Sequence, residues 1–125
     1  MVGSAILSTM ILSVSAETIT YNITANTDTL SRKATKSSAN YENKAYVTAT
    51  WFNREGAFQC MSACYSKPNI VSSDMYVYGA GGYTNEVASA KAVGTYYSSA
   101  PGGIYYYMSA SANSNGLNMT GRYTP

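Results

Sequence analysis

Apolar and polar residues alternate in steps of two through most of this chain, and each alternating run ends at a cluster of turn residues. Thr18 to Thr24 sets Ile19, Tyr21 and Ile23 on one side and Thr and Asn on the other. Lys44 to Phe52 aligns Ala45, Val47, Ala49 and Trp51 against Lys44, Tyr46, Thr48 and Thr50. Asp74 to Gly79 turns Met75 and Val77 inward, Ala88 to Tyr97 turns Ala88, Ala90 and Ala92, and Ile104 to Ala112 turns Ile104, Tyr106, Met108 and Ala110. Leu117 to Thr124 buries Leu117, Met119 and Tyr123 and leaves Asn118, Thr120 and Arg122 outside. A period of two is the signature of a strand with one packed and one wet face. The punctuation falls at Asn53–Gly56, Lys67–Asn69, Gly79–Gly82, Ala100–Gly103 and Asn113–Gly116, all rich in Gly, Pro and Asn. Short strands at near-regular spacing, with no helical period after the first residues, predict an all-β fold: a small antiparallel β-sandwich of about 7–8 short strands.

The pattern carries an internal echo. A shift of 47 residues places Lys44-Ala45 on Lys91-Ala92, Gly56 on Gly103 and Met61-Ser62-Ala63 on Met108-Ser109-Ala110 without a gap. Such a match predicts a duplicated β-hairpin unit packed face to face, because one hairpin cannot bury its own apolar side. Under this shift Cys60 and Cys64 fall on the outward face.

The first residues follow another rule. Ala5 to Val14 is a short apolar run ending in Val14-Ser15-Ala16, the small-residue pattern of a secretory signal cut before Glu17, although no basic residue precedes it. The expectation is a signal peptide over 1–16, one β-sandwich domain over 17–125 and a secreted, extracellular protein. The apolar run is too short to cross a bilayer as a helix.

Composition narrows the chemistry. The chain has thirteen Tyr and no His, which removes the commonest general base and the commonest metal ligand. A net charge of +2 with scattered cations does not suggest nucleic acid. The six acids (Glu17, Asp28, Glu42, Glu55, Asp74, Glu86) have no catalytic spacing, the serines lack an activating partner, and Gly79–Gly82 lacks the lysine of a phosphate loop. No catalytic residue, metal ligand or cofactor is assigned, and the expectation is a protein that is not an enzyme. Asn22-Ile-Thr24 and Asn118-Met-Thr120 match the N-glycosylation pattern. Cys60 and Cys64 are candidates for a disulfide in an exported chain. On a straight strand, though, residues four apart stand about 13 Å apart, too far for a bridge, so local pairing requires a break near Met61 to Ala63. Free thiols and pairing with another chain are the alternatives.

The tyrosines remain. Tyr21, Tyr106, Tyr123 and Trp51 share phase with aliphatic residues and are expected in the core. Tyr46, Tyr76, Tyr78, Tyr97, Tyr105 and Tyr107 share phase with Lys, Thr, Ser and Asp and are expected outside, as candidate ligand-binding residues. Exposed tyrosines present broad amphipathic surfaces at low entropy cost. They also stabilise a sheet by cross-strand pairing alone. The leading expectation is a non-catalytic binding module acting at a cell surface on a glycan or protein. The alternative is a small membrane-active, bacteriocin-like antibacterial protein, suggested by the uncharged alternating 92–121 region. A membrane is a partner only under that alternative.

Overall fold

A computed structural model describes residues 17–37, 43–79 and 91–125. The expected signal segment, and Ala88 and Ala90, lie outside the described residues. Among the described residues eight strands run in the order β1 (Ile19–Thr24), β2 (Ala34–Thr35), β3 (Lys44–Phe52), β4 (Gly56–Cys64), β5 (Met75–Gly79), β6 (Ala92–Thr95), β7 (Tyr105–Ser111) and β8 (Asn118–Thr124). They form two four-stranded antiparallel sheets, sheet A in the order β1-β8-β3-β6 and sheet B in the order β2-β7-β4-β5. This is the β-sandwich that the period-two runs predict.

Each inner face follows the alternation. Sheet A contributes Ile19, Tyr21, Ile23, Ala45, Val47, Ala49, Phe52, Met119 and Tyr123, and sheet B contributes Phe58, Cys60, Cys64, Met75, Val77, Tyr106, Met108 and Ala110, all buried. Phe52 and Phe58 bridge the layers with ring centroids 6.1 Å apart. Two glycines are required by close approach. A Cβ on Gly79 would sit 2.2 Å from the Phe52 ring, and one on Gly121 would sit 1.9 Å from the Thr48 carbonyl oxygen. The missing side chain at 121 also makes room for the Tyr21 hydroxyl, which donates to that carbonyl at 2.9 Å.

Three expectations are corrected. Trp51 is not in the core; it is 38% exposed, and Phe52 is buried in its place. The register between β3 and β8 steps from Ala49↔Gly121 directly to Trp51↔Thr120, so Thr50 is an extra residue in a β-bulge. One inserted residue reverses the phase of everything after it.

The duplicated hairpin is also revised. The 47-residue shift maps β3 onto β6 and β4 onto β7, and each pair lies side by side in one sheet. However, β3 and β4 belong to different sheets, so the unit is not a hairpin. The phases agree for β3 and β6 but not for β4 and β7. Phe58 and Cys60 are buried, whereas Tyr105 is exposed and Tyr107 half-buried. An odd shift cannot superpose two strands that both bury their even-numbered residues.

Cys60 and Cys64 are the third correction. They lie on the inner face of β4, fully buried and free, not on its outer face. The strand runs unbroken through Met61 to Ala63, so the interruption that a local disulfide requires is absent.

Candidate functional site

The outer face of sheet B collects most of the exposed rings. Antiparallel register fixes its rows, because directly opposed residues point to the same side. Thr35 pairs with Tyr105, Tyr107 with Ala63, Ser109 with Met61, Ser111 with Gln59 and Gln59 with Tyr76, and Tyr78 pairs with Ala57. Of the six candidate tyrosines this brings four onto one face. Tyr76, Tyr78 and Tyr105 are 68%, 58% and 52% exposed, and Tyr107 is half-buried. The other two lie elsewhere. Tyr46 is on the outer face of sheet A with the Lys91 ammonium 4.7 Å from its ring centroid. Tyr97 follows β6, exposed, with its N–H bonded to the Val71 carbonyl.

Tyr65, which the sequence reading passes over, joins the four. Its backbone N–H donates to the Tyr105 carbonyl at 2.9 Å, so it continues the row of Thr35 and Tyr105. Its ring meets the edge of Tyr107 at 6.5 Å and 83°. The signal for it was available: Tyr65 stands in phase with Gln59 and Met61 once β4 is read from its own apolar residues rather than through the internal echo.

The rings thus form two groups at diagonal corners. Tyr76 is level with Ser111, four residues from Tyr107 and two strands away. Strand geometry makes that about 13 Å along the sheet and about 10 Å across it, or about 16 Å in all. Between the groups the floor is lined by small and polar side chains and by Met61. One shallow groove of about 280 Å³ is lined by Gln59, Met61, Asp74, Ser109, Ala110 and Ser111. A second of about 190 Å³ shares Gln59 and Ser111 with it and extends to Ala57, Tyr76 and Asn113. At the opposite corner Thr35, Tyr65, Ser66, Gly103, Ile104 and Tyr105 enclose about 340 Å³.

Polar groups at both ends are ordered. Gln59 donates to the Asp74 carboxylate at 2.7 Å, and the Tyr78 hydroxyl donates to Glu55 at 2.7 Å. The Glu55 carboxylate holding that proton raises the Tyr78 phenol above its ordinary range. At the other end the Lys33 ammonium sits 4.3 Å from the Tyr65 centroid and 5.2 Å from that of Tyr105. The face offers amphipathic rings, amide and carboxyl groups and one ring-held cation, a set suited to binding. The buried thiol of Cys60 has no part in it; burial pushes it up to about 12, away from the thiolate a nucleophile needs.

No protein-family model, curated protein or solved structure matches this chain.

Proposed function

We propose that this chain is a secreted, non-catalytic binding module that holds an extended glycan at a cell surface on the outer face of sheet B. The observation that carries the reading is the pairing of two tyrosine groups about 16 Å apart across a floor of Gln59, Asp74, Ser109 and Ser111. Sugar rings have apolar C–H faces that pack on aromatic rings, and rims of hydroxyls that need amide, carboxyl and hydroxyl partners. The sheet-B face supplies both in alternation. A protein partner is favoured less by this face, since protein interfaces concentrate aromatic anchors in their desolvated centre, and here the rings are peripheral and the centre sets Met61 among Gln59, Asp74, Ser109 and Ser111. Placement outside the cell rests on the Ala5–Val14 run and the Val14-Ser15-Ala16 pattern. The alternative of membrane activity is favoured less, because the 92–121 strands divide between the two sheets and bury Tyr106, Met108, Ala110 and Met119 between them, leaving Val93 and Tyr105 as the exposed large apolar residues of those strands.

Two double variants test the reading, Tyr76→Ser with Tyr78→Ser and Tyr65→Ser with Tyr105→Ser. Each replaces exposed rings with small polar groups on an outer face, so circular dichroism should stay unchanged. Each stacking contact removed should weaken glycan binding by about 1–2 kcal/mol, a common cost for an interface aromatic. Glycan-array or cell-wall pull-down signal that persists undiminished in both folded variants refutes the assignment.

A further inference from the structure

The two ends of the sheet-B face differ in charge. Asp74 and Glu55 flank the Tyr76–Tyr78 end, each carboxylate accepting from a neighbour on the face, while the Arg54 guanidinium beside Glu55 is engaged with the Ser114 hydroxyl and the Asn115 carbonyl. At the Tyr65–Tyr105 end stand Arg32, Lys33 and, one residue beyond the groove-lining Ser66, Lys67. Among the described residues Glu17 is the carboxylate there, and it is already engaged. One of its oxygens accepts the Thr35 N–H at 2.8 Å and the other lies 3.8 Å from Arg32. Among the described residues no carboxylate lies within ion-pair distance of Lys33 or Lys67.

Lys33 is the more informative of the two. Its ammonium is held by the negative faces of two tyrosine rings. Ring faces attract the charge without consuming its N–H donors as a carboxylate would, so the ammonium keeps hydrogen-bonding capacity for an incoming anion. It is fixed at the rings that would stack a sugar, within reach of an acidic substituent on that sugar. At the other corner the Asp74 and Glu55 carboxylates oppose a second negative charge.

We infer that the ligand of this face is an oligosaccharide bearing one carboxylated sugar at one end and neutral sugars along the rest. The carboxylate is held by Lys33 beside Tyr65 and Tyr105, and the neutral chain runs across Gln59 and Ser111 towards Tyr76 and Tyr78. This deepens the glycan reading and rests on it. It also excludes a uniformly charged polyuronate as the preferred ligand.

The test uses matched pairs on one array: neutral oligosaccharides and the same chains capped by a single uronate or sialate, with polygalacturonate as the uniformly charged probe. The acid-capped member should bind about three- to fivefold tighter than its neutral counterpart, the size of one exposed ion pair. That preference should disappear at about 0.5 M salt, where such pairs are screened. Lys33→Gln should equalise the two members of each pair, and Lys33→Arg should retain the preference. Asp74→Asn should improve polygalacturonate binding. Equal binding of neutral and capped chains, an unchanged ratio in Lys33→Gln, or polygalacturonate as the tightest ligand overturns the acidic-end assignment and leaves the glycan reading standing. Absence of saturable binding to every glycan overturns both.

Discussion

Ser62 is a fully buried serine whose hydroxyl lies 2.7 Å from the Tyr96 phenol and 2.5 Å from that of Tyr123. The Ser72 hydroxyl accepts its backbone N–H at 3.0 Å, and Tyr96 meets Tyr106 edge-on at 5.5 Å. Three tyrosines, Tyr106 of β7, Tyr123 of β8 and Tyr96 just past β6, therefore enter the core without stranding a hydroxyl, since the Tyr106 hydroxyl donates to the Pro101 carbonyl at 2.7 Å. Buried phenols are tolerated only with such partners. Ser62→Ala removes the hydroxyl shared by Tyr96 and Tyr123 while adding no volume, and should lower stability by about 1–3 kcal/mol in urea titration. Gly121→Ala is a harsher change at a single residue. Its Cβ would fall on the Thr48 carbonyl oxygen and the Tyr21 hydroxyl, so β8 must move away from β3. That substitution should cost more than Ser62→Ala, and an equal or smaller loss would show that β8 can shift without disturbing the Tyr21 bond.

A strand's phase is set by its ends and by any residue inserted within it, and β3 and β4 show what a period-two reading can and cannot recover. The run Lys44–Phe52 is legible as a strand from its alternation, and its first three inward residues are buried as expected. Trp51 is misplaced because the bulge at Thr50 has no compositional mark of its own; the extra residue is visible only against β8. The rings of sheet B are legible in part. Tyr76, Tyr78 and Tyr105 follow from local phase, but their convergence on one face depends on which strands pair, and pairing across 30 or more residues leaves no local trace. The bulge makes a direct prediction. Phe52→Ala should cost about 3–5 kcal/mol and Trp51→Ala far less, with Trp51 fluorescence open to iodide quenching in the folded protein. Reversed costs would place the bulge elsewhere. The same phase argument on β4 hides both thiols. Cys60 and Cys64 should resist a thiol reagent in the native protein and titrate as two equivalents after unfolding, with no covalent dimer on a non-reducing gel. One thiol reacting rapidly before unfolding would contradict their burial.

For the whole molecule, the burial of its phenols links stability to alkaline pH. Burial disfavours the charged phenolate and raises Tyr21, Tyr96, Tyr106 and Tyr123 above the ordinary tyrosine range, and it raises the Cys60 thiol as well. These groups lie on both sheets, so no local opening can release all of them. The sign follows from which state binds more protons. Below the unfolded values both states hold these protons, and the groups impose no pH dependence. Above about pH 10 an unfolded tyrosine ionises while its folded counterpart does not. The unfolded state then binds fewer protons and folding stability falls as pH rises. Each phenol contributes a slope of up to about 1.4 kcal/mol per pH unit, so four together approach about 5 kcal/mol per unit. Set against the total of about 5–15 kcal/mol usual for a folded domain, that slope unfolds the protein within about one to three pH units above 10. A pH titration followed by circular dichroism and phenolate absorbance should therefore show Tyr21, Tyr96, Tyr106 and Tyr123 ionising in one cooperative step coincident with loss of β structure. Smooth ionisation of every tyrosine near pH 10 with the sheets intact would mean that water reaches the core phenols, and the sandwich would not be packed as described.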